Sequence, residues 1–107
     1  MIELDNRNFH DFIKKNKMVV IDFWAPWCKP CFTVEKILKE IEKNIEGVSF
    51  AKMNTDENIE IARSLNILSL PTVMIFINGE VEKRIIGSKT KDEFLDEIEE
   101  VYQSNFL

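Results

Sequence analysis

A chain of 107 residues has room for one domain with a real core and not for two. Hydrophobic residues at 45% and charged ones at 31% are ordinary for a soluble globular protein, and no apolar run approaches a membrane span. The formal net charge of −5 argues against nucleic acid as a standing partner, because phosphate binding needs clustered Lys and Arg.

The first 17 residues are polar and charged, without the apolar stretch of a secretory signal. Residues 1–4 read as a short edge strand. Asp5 or Asn6 can then cap a helix whose apolar stripe is Phe9, Phe12 and Ile13, at i, i+3 and i+4. His10 is the only histidine; it lies off that stripe and has no second imidazole or thiol nearby with which to hold a metal. It reads as surface, as do Lys14, Lys15 and Lys17.

Residues 18–24 are apolar and β-branched nearly throughout, the pattern of a strand covered on both faces. Both cysteines follow at once, in Trp27-Cys28-Lys29-Pro30-Cys31. Residues 32–45 then have helical periodicity, with Val34, Ile37, Leu38, Ile41 and Ile45 on one side. Glu35, Lys36, Lys39, Glu42 and Lys43 fall on the other, and Gly47 reads as the stop. Residues 48–53 form a second apolar strand. Thr55 or Asp56 opens a third helix with Ile59, Ala62 and Leu65 inward, and a crossover of this length implies a right-handed parallel unit. Pro71 precedes a strand at 72–77, Asn78-Gly79 signals a tight hairpin, and 80–86 returns antiparallel. Thr90 and Glu93 are spaced as a capping box for a final helix that buries Phe94, Leu95, Ile98, Val101 and Tyr102. The order βαβαβαββα describes a single three-layer α/β domain over residues 1–107 with a mixed sheet.

Two cysteines are too few for a disulfide scaffold. A Cys-x-x-Cys where a strand hands over to a helix reads as a dithiol redox site. On the first turn of a helix, Cys28 and Cys31 would be i, i+3 neighbours with β-carbons about 5–6 Å apart, close to what a disulfide needs. Cys28 would face the free N–H groups of the helix start, which stabilise a negative sulfur and lower its pKa below that of a free thiol. That makes Cys28 the attacking thiolate and Cys31 the shielded, protonated partner. A structural staple in so short a loop would contribute only roughly 2 kcal/mol. A zinc site would lack two of its four ligands. The strand–helix context favours redox chemistry over both.

Asp22 is a carboxylate inside an apolar strand. It is either a solvated strand-end residue or a buried acid whose pKa is raised by desolvation. Its place near the carboxyl end of a strand, where α/β sheets build their sites, favours the buried acid, which can take a proton from Cys31. Lys52 is also a charge in an apolar run; it can pair with Asp22 or carry its ammonium out to water.

The segment Val20-Ile21-Asp22-Phe23-Trp24-Ala25-Pro26-Trp27-Cys28-x-Pro30-Cys31 closely resembles the thioredoxin family. Ala51-Lys52-Met53-Asn54, Leu70-Pro71-Thr72, Asn78-Gly79 and Gly87 extend the likeness in register over nearly the whole chain. The resemblance implies a thioredoxin fold and a protein-disulfide reductase that keeps cellular thiols reduced. It makes Cys28 the nucleophile, Cys31 the resolving cysteine, Asp22 the acid that deprotonates Cys31 and Lys52 the lysine near that acid. Pro71 matches a cis-proline facing the disulfide, and Trp24 and Trp27 the two active-site tryptophans. Trp27, Leu70, Pro71, Ile86 and Gly87 map onto the surface that docks protein substrates; from periodicity alone, Trp27, Leu70 and Ile86 read as core.

The resemblance further implies no bound cofactor or metal, a redox-active Cys28–Cys31 disulfide, disulfide-containing target proteins and a separate thioredoxin reductase. A cytoplasmic monomer is the expected form. Lys29 departs from the glycine usual there and, with Pro30, is expected to tune the couple toward a more oxidising potential. Lys36 replaces a helix-kinking proline, and Phe32 and Ser69 alter the rim. Two rival readings are a glutaredoxin-like enzyme recharged by glutathione, and a non-catalytic binding module that uses the patch around Trp27 and Pro71.

Overall fold

The apolar run at 18–24 becomes β2 (Met18–Trp24), the middle strand of a five-stranded sheet in a computed structural model that describes residues 1–107. The other strands are β1 (Ile2–Leu4), β3 (Ser49–Asn54), β4 (Thr72–Ile77) and β5 (Glu80–Ile86), and the sheet order is β1-β3-β2-β4-β5. β3 runs parallel to both β1 and β2, while β4 is antiparallel to β2 and to β5. The helices are α1 (Phe9–Lys15), α2 (Lys29–Lys43), α3 (Ile59–Ser64) and α4 (Lys91–Phe106). The element order and mixed sheet are those read from the sequence.

Period-two alternation divides β2 between two cores. Met18 and Val20 pack with Val34, Leu38 and Ile41 of α2 and with Phe94, Ile98 and Val101 of α4. Val19, Ile21 and Phe23 pack on the other face with Phe9 and Ile13 of α1 and Ile61 of α3. The result is the three-layer α/β/α arrangement. Phe9, Phe23, Phe76 and Phe94 are fully buried, each contributing roughly 1.5–3 kcal/mol relative to exposure.

Local chemistry accounts for the turns. Asn78 and Gly79 both take positive φ, at 51° and 82°, as a hairpin turn matched to strand twist requires. Thr90 Oγ1 accepts from the Glu93 amide at 3.1 Å and Glu93 Oε1 accepts from the Thr90 amide at 2.9 Å, completing the capping box that starts α4.

Several local expectations are corrected. Asp5 caps only a turn, accepting from the amides of Arg7 and Asn8, and α1 begins later with Asn8 as its N-cap. Asn6 reaches α3 instead, accepting from the Ile61 amide. α3 starts after Asn58, and Ile59 is half exposed while Ile61 and Ala62 are buried. The turn at 55–58 is consumed by Asn54, whose side chain accepts from the amides of Asp56 and Glu57, so the inward face is set later than Thr55 or Asp56 would set it. Asn44, not Gly47, is the C-cap of α2. Gly47 serves the next turn at φ +80°, where a Cβ would meet the Tyr102 ring at 3.5 Å.

Candidate active site

Cys28 is the N-cap of α2, in extended conformation, and Cys31 is the third residue of the helix proper. Pro30 sits in the first turn, where its missing N–H costs nothing and its fixed φ suits the helix. The two cysteines are joined as a disulfide, with α-carbons 5.4 Å apart. Both are buried, and Cys28 keeps the larger remnant of exposure, 4% against 1%. Cys28 therefore sits one position before the helix, not on its first turn; as N-cap it still borders the free amides. Lys29 beside it is exposed. α2 runs unbroken for 15 residues through Lys36.

The rim comes from the ends of three strands. Phe23 is the register partner of Thr72, which sets Pro71 beside the end of β2 that leads into the cysteine loop. The Leu70–Pro71 peptide bond is cis, and Pro71 is buried. The Gly87 amide donates to the Pro71 carbonyl at 2.9 Å, drawing the end of β5 to the same edge. Trp27 and Ile86 are 68% and 55% exposed, so neither is core, and Leu70 is partly buried. The Trp27 indole N–H donates to Asp56 Oδ2 at 2.9 Å; Asp56 is a contributor that sequence reasoning missed. Its turn is ordered by the buried Asn54 already described.

Beneath α2 lies Asp22. Alternation along β2 turns it to the α2 face, with Val20 and away from Ile21 and Phe23. It is fully buried, and neither carboxyl oxygen has a hydrogen-bond partner. Burial raises its pKa to about 7; the Glu35 carboxylate adds to the rise, Lys52 opposes it, and Glu3 contributes in the upward direction.

Lys52 faces Asp22 in the β2–β3 register but bonds elsewhere. Its ammonium lies 3.0 Å from Glu35 Oε2 and 3.7 Å from Glu3 Oε1, and 5.4 Å from the centre of the Trp24 ring. The Trp24 indole donates to Glu3 Oε2 at 3.3 Å. Glu35 is not the solvated helix-face residue that periodicity suggested. It is partly buried and also holds Lys39 at 2.8 Å. Burial works to raise the Glu35 pKa, but hydrogen bonds from Lys39 and Lys52 hold it below the usual carboxylate value. Helical spacing contained the signal: Cys31 and Glu35 are i, i+4 and share a face.

No three His, Cys, Asp or Glu side chains are grouped to hold a metal ion, and no helix is long and apolar enough to cross a membrane. A buried cysteine pair joined as a disulfide, with a buried, unpartnered carboxyl whose pKa is near 7, suits thiol–disulfide exchange.

Comparison with known proteins agrees. Residues 1–100 match the family model described as Thioredoxin. A thioredoxin of Mycobacterium bovis is 40% identical over 92 residues, covering 85% of this chain and 79% of that one. A bifunctional thioredoxin reductase/thioredoxin of Mycobacterium leprae is 39% identical over 94 residues, covering 87% of this chain and 20% of that one. The structure of Plasmodium falciparum thioredoxin superposes with a TM-score of 0.86 at 29% identity, covering 95% of this chain and 99% of that one.

Proposed function

We infer the working cycle of this chain from one premise: it belongs to the thioredoxin family of thiol–disulfide oxidoreductases. The cysteine pair is its redox centre, and disulfide-bearing proteins and a thioredoxin reductase are its partners. Cys28, bordering the free amides at the start of α2, attacks a target disulfide as a thiolate, one target sulfur leaving as thiolate while a Cys28–target disulfide forms. Cys31 then gives its proton to Asp22 and attacks the Cys28 sulfur. The second target thiolate departs, and the Cys28–Cys31 disulfide forms as the target gains two electrons.

The observation that carries this reading is the buried Asp22 carboxyl, unpartnered and with a pKa raised to about 7. Such a group is poised to exchange protons at neutral pH. Lys52 adjusts it through charge alone. Trp27, Leu70, Pro71, Ile86 and Gly87 form the docking edge, supported by the exposure of Trp27 and Ile86 and the bond from Gly87 to Pro71. Trp24 lies apart from that edge, its ring centre 6.4 Å from that of Phe32 on α2.

A separate reductase closes the cycle; the fusion of the two activities named in the Mycobacterium leprae relative supports the pairing. A monomer in the reducing cytoplasm suits a dithiol electron carrier, since one chain supplies both sulfurs and the carboxyl. The test is reduction of insulin disulfides with dithiothreitol as donor. Wild type should precipitate insulin chains rapidly and Cys28→Ser should not. Equal rates for the two would overturn the assignment of the nucleophile.

A further inference from the structure

Lys52 stands between two carboxyl-bearing strand neighbours, Asp22 on β2 and Glu3 on β1, all three in one register row on the α2 face. Its position alone would let it serve Asp22. Instead it is held by Glu35 from the helix above and approached by Glu3 from the side away from Asp22. Lys39 completes the group through the same Glu35 oxygen. Two ammoniums therefore balance two carboxylates, and the charges close without Asp22, whose oxygens stay unpartnered. The charged groups that act on it are Glu35 from α2, Lys52 from β3 and Glu3 from β1. Its β4 neighbour is Val73, and α4 brings Phe94, Ile98 and Val101 to this layer.

We propose that Glu35 is a positioning residue for the resolving step: by binding the Lys52 ammonium it withholds that charge from Asp22. The inference rests on Asp22 as proton acceptor for Cys31, and it adds what decides when Asp22 is free to accept. With Lys52 turned to Asp22, the carboxyl would be ionised over a wider pH range but a weaker base. With Lys52 held by Glu35, Asp22 changes charge in the pH range where the dithiol works, consistent with its raised pKa.

The experiment is a double-mutant cycle read by the carbon-13 shift of the Asp22 carboxyl against pH, in oxidised and reduced protein, with Glu35→Ala, Lys52→Met and both together. Glu35→Ala should lower the Asp22 midpoint by about one pH unit or more. In the Lys52→Met background the same substitution should lower the midpoint much less than it does beside Lys52, the remainder being the direct repulsion between the Glu35 and Asp22 carboxylates. An equal shift in the two backgrounds, or no shift in Glu35→Ala, overturns the proposal. Glu35→Gln keeps the side-chain volume and serves if Glu35→Ala does not fold. The pH profile of mixed-disulfide resolution is measured on the same proteins. If the carboxyl midpoint moves in the coupled way while that profile stays still, the withholding stands and Asp22 is not the acceptor.

Discussion

Asp22 and Lys52 are register partners in adjacent parallel strands, yet no hydrogen bond joins them, and the ammonium lies 3.0 Å from Glu35 instead. The pairing that strand positions suggest is broken by a helix residue 17 positions away in sequence. Asp22 is thereby left as a buried carboxyl with no hydrogen-bond partner, compensated only by the more distant charge of Lys52.

The first consequence is a stability cost that grows with pH. In the folded chain Asp22 has a pKa of about 7, above the value of 3.8 for an unperturbed aspartate. Between those values the folded state binds more protons than the unfolded one, so stability falls as pH rises through that window. The gap corresponds to roughly 4 kcal/mol at most. Asp22→Ala should therefore leave stability at pH 4 little changed and raise it by about 2–4 kcal/mol at pH 8. Urea denaturation at the two pH values checks this; an equal gain at both would point to packing as the cause.

Removing the resolving sulfur should stall exchange halfway. Cys31→Ser leaves Cys28 able to attack but nothing to expel the target, so targets should accumulate as adducts that dithiothreitol releases. Non-reducing gels of the variant incubated with a disulfide-bearing protein give the readout. Cys28→Ser, treated identically, should form no such adduct; adducts of equal yield would overturn the division of roles, and adducts from Cys28→Ser alone would reverse it.

Lys29 follows the N-cap cysteine directly and is exposed. A cation there should stabilise a Cys28 thiolate, hence the reduced form, and make the couple more oxidising. Lys29→Gly should lower the reduction potential by roughly 10–20 mV, a modest amount because water screens an exposed charge. Equilibration against glutathione measures it. An unchanged or higher potential would show that the lysine does not act on the sulfur.

How much of this was legible beforehand follows from the range of the interactions involved. β2 is readable because Met18, Val19, Val20, Ile21 and Phe23 alternate between two apolar cores, and the hairpin because Asn78-Gly79 supplies both positive φ values. Both are local signals. α3 starts later than Thr55 or Asp56 because Asn54 captures two amides of the preceding turn, and a side-chain bond of this kind has no periodic trace. The Lys52–Glu35 pair joins β3 to α2, and a helical wheel drawn on α2 alone assigns Glu35 to solvent. Its partial burial becomes visible only once α2 lies across β2 and β3.

Ile86 allows the proposed docking edge to be tested apart from the cysteines. It closes β5 opposite Thr72, one residue before the glycine whose amide holds the Pro71 carbonyl. It is 55% exposed and belongs to neither core. Shortening it removes little buried surface, so Ile86→Ala should change unfolding free energy by no more than about 0.5 kcal/mol. If the edge holds protein targets, the lost apolar contact should appear in KM. A several-fold rise for a protein disulfide is expected, with kcat nearly constant because Cys28, Cys31 and Asp22 are untouched. A small disulfide such as 5,5′-dithiobis(2-nitrobenzoic acid) needs no docking edge and should react at the wild-type rate. Equal losses on the large and small substrates would mean that Ile86 supports the cysteines themselves, not the grip on the target.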